Sequence, residues 1–163
     1  MKHDNELVTS IRAMFLASWD MSSDQADERM SSLNYSAAVA AMTPLAPPGA
    51  IGSAYAGGIY AGVARGIDGA PDEHLVLLFG QAEDINWDDA MAWAASVGGS
   101  LPTRREQRLL HTNIPEQFES AWYWSCEQAG PSYAWYQLFI SGTQGDYGRS
   151  YEGRARAVRR LPI

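Results

Sequence analysis

The chain has 163 residues, of which 46 % are hydrophobic and 19 % charged, enough for one domain of ordinary size or one domain with a short appendage. Its net charge of −7 is uneven: residues 1–100 hold thirteen acids and four bases, residues 101–163 six acids and eight bases. This is not the basic balance of a nucleic-acid binder, no run approaches the roughly 18 apolar residues of a membrane span, and the single cysteine, Cys126, excludes an intrachain disulfide.

The opening segment, 1–44, reads as helical. Leu7, Ile11, Phe15 and Trp19, with Met14, follow the spacing of one apolar helix face, with Asp4 or Asn5 as a cap. A helix of this length is marginal alone, so the stripe must be covered, and pairing with the same stripe in other copies predicts a homo-oligomer. "MKHDNELVTS" lacks the basic start and long apolar block of a secretory signal, so the expected location is the cytoplasm, or a particle assembled there. Residues 45–57 are rich in proline and glycine and read as a linker or arm.

From Gly58 the pattern becomes that of a folded α+β domain running to residue 163. "GGIYAGVARG" reads as a strand, "GIDGAPDE" as a turn, and "HLVLLFG" as a strand buried on both faces. "EDINWDDAMAWAASVGG" is a helix capped by Asp84 or Asn86 and stopped by Gly98-Gly99, with Trp87, Met91 and Ala94 on one face. "LPTRREQRLLHTN" starts a second helix with the S/T-x-x-E capping box of Thr103 and Glu106. "AWYWSCE" and "SYAWYQLFI" are strands, "SGTQGDYG" is a turn, and "RARAVRRL" is one last strand.

The pieces "GGSLPTRREQRLLHTN", "AWYWSCEQ" and "YAWYQLFISGTQGDYGRSYEGRARAVRRL" resemble a domain of bacterial and phage proteins named after the C-terminal part of the Legionella collagen-like adhesin. The likeness covers roughly residues 58–162 and leaves the first forty-odd without a counterpart. It implies a C-type-lectin-like fold, with two helices on a small twisted antiparallel sheet and loops presented on one side. It further implies a binding scaffold of phage or prophage type whose partner is a host bacterial protein or glycan. Two settings fit: a virion or surface component, or an inhibitor acting inside the host cell.

Within this pattern Trp124 and Trp135 are expected to fill the core. Strand alternation turns Tyr123 away from Trp122 and Trp124, and Tyr136 away from Trp135. Tyr123, Tyr136, Tyr147, Arg149 and Tyr151 are therefore the candidate partner-binding residues, although packing alone also accounts for isolated exposed aromatics.

No catalytic residue is assigned. A nucleophilic cysteine needs a base, and neither motif nor spacing ties His3, His74 or His111 to Cys126. Nor is there a cysteine pair, as used by the formylglycine-generating enzymes of the lectin-like fold. "DINWDD" begins like a calcium loop but has Asp89 where glycine belongs and Ala95 in place of the closing glutamate, so no metal or other cofactor is expected. Arg154, Arg156, Arg159 and Arg160 suit an edge strand, pairing with carboxylates such as Glu152, better than a nucleic-acid surface.

Overall fold

Residues 48–163 are described by a computed structural model. Leu7, Ile11, Phe15 and Trp19, and with them the expected oligomerising helix, lie outside the described residues.

The elements are β1 (Ala54–Tyr55), β2 (Gly58–Ala64), β3 (Glu73–Leu78), β4 (Ala82–Ile85), α1 (Trp87–Ser96) and α2 (Arg104–Asn113). A short 3-10 turn (Pro115–Gln117) leads to β5 (Trp122–Gly130), β6 (Tyr133–Leu138), β7 (Gln144–Gly148), β8 (Gly153–Ala155) and β9 (Val158–Pro162). The α+β class is thus present, but with two sheets instead of one. The first has the order β1-β2-β3-β9 and the second β4-β8-β5-β6-β7, where β5 and β8 run parallel.

Three expected boundaries move. The sheet begins before residue 58, because Tyr60 exchanges backbone hydrogen bonds with Gly52 and Ser53, at 2.8 and 2.9 Å, and β1 pairs with β2. The "SGTQGDYG" stretch is only partly a turn, since Gln144–Gly148 pairs with β6 as an edge strand. "RARAVRRL" is not one strand: it leaves the second sheet after Ala155 and enters the first at Val158.

That crossing explains the arginines. Arg156 is buried where the chain passes from one sheet to the other and has no carboxylate partner among the described residues; it donates to the carbonyls of Gln117 (2.7 Å) and Leu78 (3.3 Å), and burial pushes its pKa down. Arg160 makes two 2.6 Å hydrogen bonds to the buried Glu106 carboxylate, and Arg154 pairs with Glu119. Arg159 donates to the carbonyls of Gly98 and Ala56. Glu152 takes no part in these pairs, contrary to expectation.

The helices start as the residues dictate. Asn86, not Asp84, caps α1 by accepting from the Asp89 amide at 3.0 Å. The Thr103–Glu106 capping box forms, and Glu106 serves at once as cap and as the anchor of Arg160. Such a carboxylate offsets its desolvation by hydrogen-bonding at every face, which is the condition for burying a charge.

The core has two parts. Trp124, Trp87, Ala90, Ala94 and Leu101 pack under α1; Tyr123, Leu75, Leu77, Leu110 and Phe139 pack beside α2. Leu75, Val76, Leu77 and Leu78 are all buried, as a strand without a polar side requires.

Candidate functional site

The β5–β6–β7 sheet sorts the aromatics by register. Trp124 lies opposite Tyr136, and Tyr136 opposite Gly145, so these three share one face. Tyr123 lies opposite Gln137, and Gln137 opposite Gln144, on the other. Alternation therefore separates Tyr123 from Trp124 as expected, but it also separates Tyr123 from Tyr136.

Tyr123 is not a surface residue. It is 1 % exposed, its ring edge meets Phe118 and Phe139, and its hydroxyl accepts from the Glu119 amide at 3.1 Å. The face that carries it is covered by α2, whose Gln107 amide donates to the Tyr123 carbonyl at 2.9 Å. Trp135 also departs from expectation: it is half-buried on the α2 side, under the guanidinium of Arg104 at 3.5 Å from the ring.

The remaining candidates do come together, around a residue not chosen from the sequence. Half-buried Trp122 meets Trp124 edge-on, with centroids 4.8 Å apart, and contacts both Tyr136 and Tyr147 at 5.3 Å. Tyr136 and Tyr147 stack at 4.8 Å, and Tyr147 and Tyr151 at 5.5 Å, with interplanar angles of 18° and 26°. The row thus runs from the buried Trp124 outward to Tyr147, 41 % exposed, and Tyr151, 62 % exposed.

Two glycines make the row possible. A methyl group at Gly153 would collide with the Trp122 indole, and one at Gly145 would sit 2.9–3.2 Å from the Tyr136 ring. Each aromatic occupies the space that a side chain at the glycine would fill. The sequence signal for this is glycine and tyrosine two positions apart, at strand period, in "QGDYG", within the stretch expected to be a turn. Burial and the neighbouring Tyr147 raise the Tyr136 pKa.

Arg149 borders the row but is already engaged. It pairs with Asp88, lies over the Trp87 ring at 4.6 Å, and receives a 3.0 Å hydrogen bond on its carbonyl from the Trp87 amide. Its role is to latch the start of α1 onto the end of β7. Beside it opens a polar hollow of about 570 Å³ bordered by Asn86, Asp89, Ser132 and Ser150.

Cys126 is half-buried, and burial pushes its thiol pKa up, the reverse of what a nucleophile requires. Among the described residues no three His, Cys, Asp or Glu side chains are grouped to hold a metal, and no helix is long and apolar enough to cross a membrane. Compared with protein-family models and with curated proteins, the chain gives no match to either.

Proposed function

We propose that residues 48–163 form a non-catalytic recognition module that binds a partner protein through Trp122, Tyr136, Tyr147 and Tyr151. The observation that carries this reading is the tyrosine stack, anchored on the core at Trp124 and exposed at Tyr147 and Tyr151. Rigid tyrosines offer wide amphipathic contact area at little entropic cost, and anchored aromatics dominate protein interfaces.

The stacking also favours a protein over a glycan. A sugar docks on an open ring face, but Tyr147 has Tyr136 and Tyr151 stacked against it. At Tyr147 such stacking leaves the ring edge and hydroxyl, which suit the mixed polar and apolar surface of a protein. The raised Cys126 pKa supports a binding role over a thiol enzyme.

The resemblance to the lectin-like domain of bacterial and phage proteins supplies the partner class, a host bacterial protein, and the two settings of virion component or intracellular inhibitor. Finding the polypeptide in purified virions would select the first. The central test uses the full chain as bait in a bacterial lysate, beside a Tyr147→Ala/Tyr151→Ala variant, and a glycan array with both. A protein captured by the wild type and lost by the variant, with a silent array, is the expected result. Equal capture by the two baits would overturn it, and glycan binding abolished in the variant would transfer the site to carbohydrate.

A further inference from the structure

A cleft of about 550 Å³, lined by none of the residues of the aromatic row, lies between the β2–β3 hairpin and the first turns of α2. Its walls are apolar: Val63 on β2, Ile67 and Pro71 on the hairpin loop, and Leu109 on α2. Val63 and Ile67 are 39 % and 57 % exposed, so these side chains are not serving the core.

The cleft is preformed. The Asp72 carboxylate accepts from the Gly66 amide at 2.8 Å, and the Ala70 amide donates to the Ile67 carbonyl at 3.0 Å, which fixes the hairpin loop. One wall is a strand with a free edge. β1 pairs only with Gly58 and Ile59, and the Asn113 side chain occupies the Ala61 carbonyl at 2.7 Å. Beyond the buried Gly62, no strand among the described residues covers the outer side of β2 at Val63 and Ala64. An uncovered edge beside an apolar groove is the geometry by which an extended segment adds itself to a sheet.

Charge defines the segment. Arg65 and Arg105 line the cleft, both exposed, and neither has a carboxylate within 4.0 Å among the described residues. Of the two acids present, Glu106 is consumed by Arg160 and the Thr103 amide. Of the acids lining the cleft Glu73 is left to oppose the two guanidinium groups, Asp72 of the same loop is held on the Gly66 amide, and the positive end of α2 adds to the side of the arginines.

We propose that this cleft is a docking site for an extended peptide segment of a partner protein in which apolar side chains alternate with carboxylates. The apolar side chains would enter between Val63, Ile67 and Leu109, the backbone would pair along Val63–Ala64, and the carboxylates would meet Arg65 and Arg105. It is independent of the tyrosine row and stands or falls separately.

The experiment uses the full chain and short fluorescent peptides alternating valine or leucine with glutamate, beside the same peptides with lysine for glutamate, and decanoate as a small amphiphile. Saturable anisotropy for the glutamate peptides only, weakened about tenfold by Arg65→Glu or Arg105→Glu, is the expected result. Glutamate at position 105 suits the first turn of α2, so that variant tests the charge without endangering the helix. Equal binding of both peptide sets, displacement of none by Arg105→Glu, or binding of decanoate in their place would overturn the proposal. Amide shifts upon titration should centre on residues 62–67 and 103–109; shifts centred on Tyr147 would overturn it too.

Discussion

The two faces of the β5–β6–β7 sheet are built from opposite materials. Beneath α2 the face is held by amides: Gln107 donates to the Tyr123 carbonyl, Gln137 donates to the Gln107 carbonyl at 2.9 Å, and Gln144 donates to the Gln137 side chain and the Arg104 carbonyl. Both Gln107 and Gln137 are fully buried. The other face is held by rings, from Trp124 under α1 to Tyr151 in solvent. Hydrogen-bonded amides demand one docking geometry, because a buried polar group left unpaired is costly. Stacked rings tolerate exposure, so the ring face can extend beyond the helix that covers it. The amide face is therefore suited to fixing the fold and the ring face to meeting a partner.

The sharpest way to break this contrast is at the buried root of the ring face. Trp124→Ala should cost about 3–5 kcal/mol, because it empties a fully buried site and removes the 3.0 Å hydrogen bond to the Ile85 carbonyl. Urea unfolding monitored by far-UV circular dichroism would measure it. A loss no larger than that of Tyr147→Ala would show that the ring face is not rooted there.

The amide face is next. Gln107→Ala should cost about 1–3 kcal/mol, since it leaves the Tyr123 carbonyl without its donor inside the sheet. Amide exchange at Tyr123 and neighbouring strand positions should accelerate with it. Unchanged exchange would mean that α2 stays docked without the glutamine.

At the exposed tip the expected cost is smallest. Tyr151→Ala should change stability by less than about 1 kcal/mol, as for a surface side chain, while impairing partner capture. A large destabilisation would make the stack a structural prop and remove its claim to function.

A pH scan separates surface electrostatics from both faces. Glu119 is held below the usual carboxylate range, first by the Gln81 hydrogen bond and then by Arg154. A depressed carboxylate pKa stabilises the fold above the unfolded value and loses that contribution as the pH falls through the folded value. The melting temperature at low salt should therefore fall slightly on acidification, and by less in Glu119→Gln. Because the group is exposed, salt should erase the difference.

Legibility followed the range of the interaction. The capping box of Thr103 and Glu106 and the buried run Leu75–Leu78 are set by residues within a few positions of one another and are readable from the sequence, which narrows the cap of α1 to Asp84 or Asn86. The surface row is half readable: Tyr136, Tyr147 and Tyr151 lie together as expected, but Tyr123 is buried and Trp122 joins the row. Strand alternation says that neighbours point to opposite faces, yet it does not say which face a helix will cover.

What the sequence by itself determined, then, is the class of the described domain, its two helix starts, and the aromatic and glycine content of its strands. Only the tertiary structure decided that Tyr123 goes in and Trp122 comes part-way out. It likewise decided that "RARAVRRL" divides between two sheets, and that Val63, Ile67 and Leu109 meet beside two arginines. These outcomes depend on contacts between residues far apart in the chain, such as Gln107 with Tyr123, 16 positions away, and Arg156 with Leu78, 78 away. Local spacing carries no information about such pairs, because the choice between faces is made when α1 and α2 settle on the sheets and bury one side of each strand.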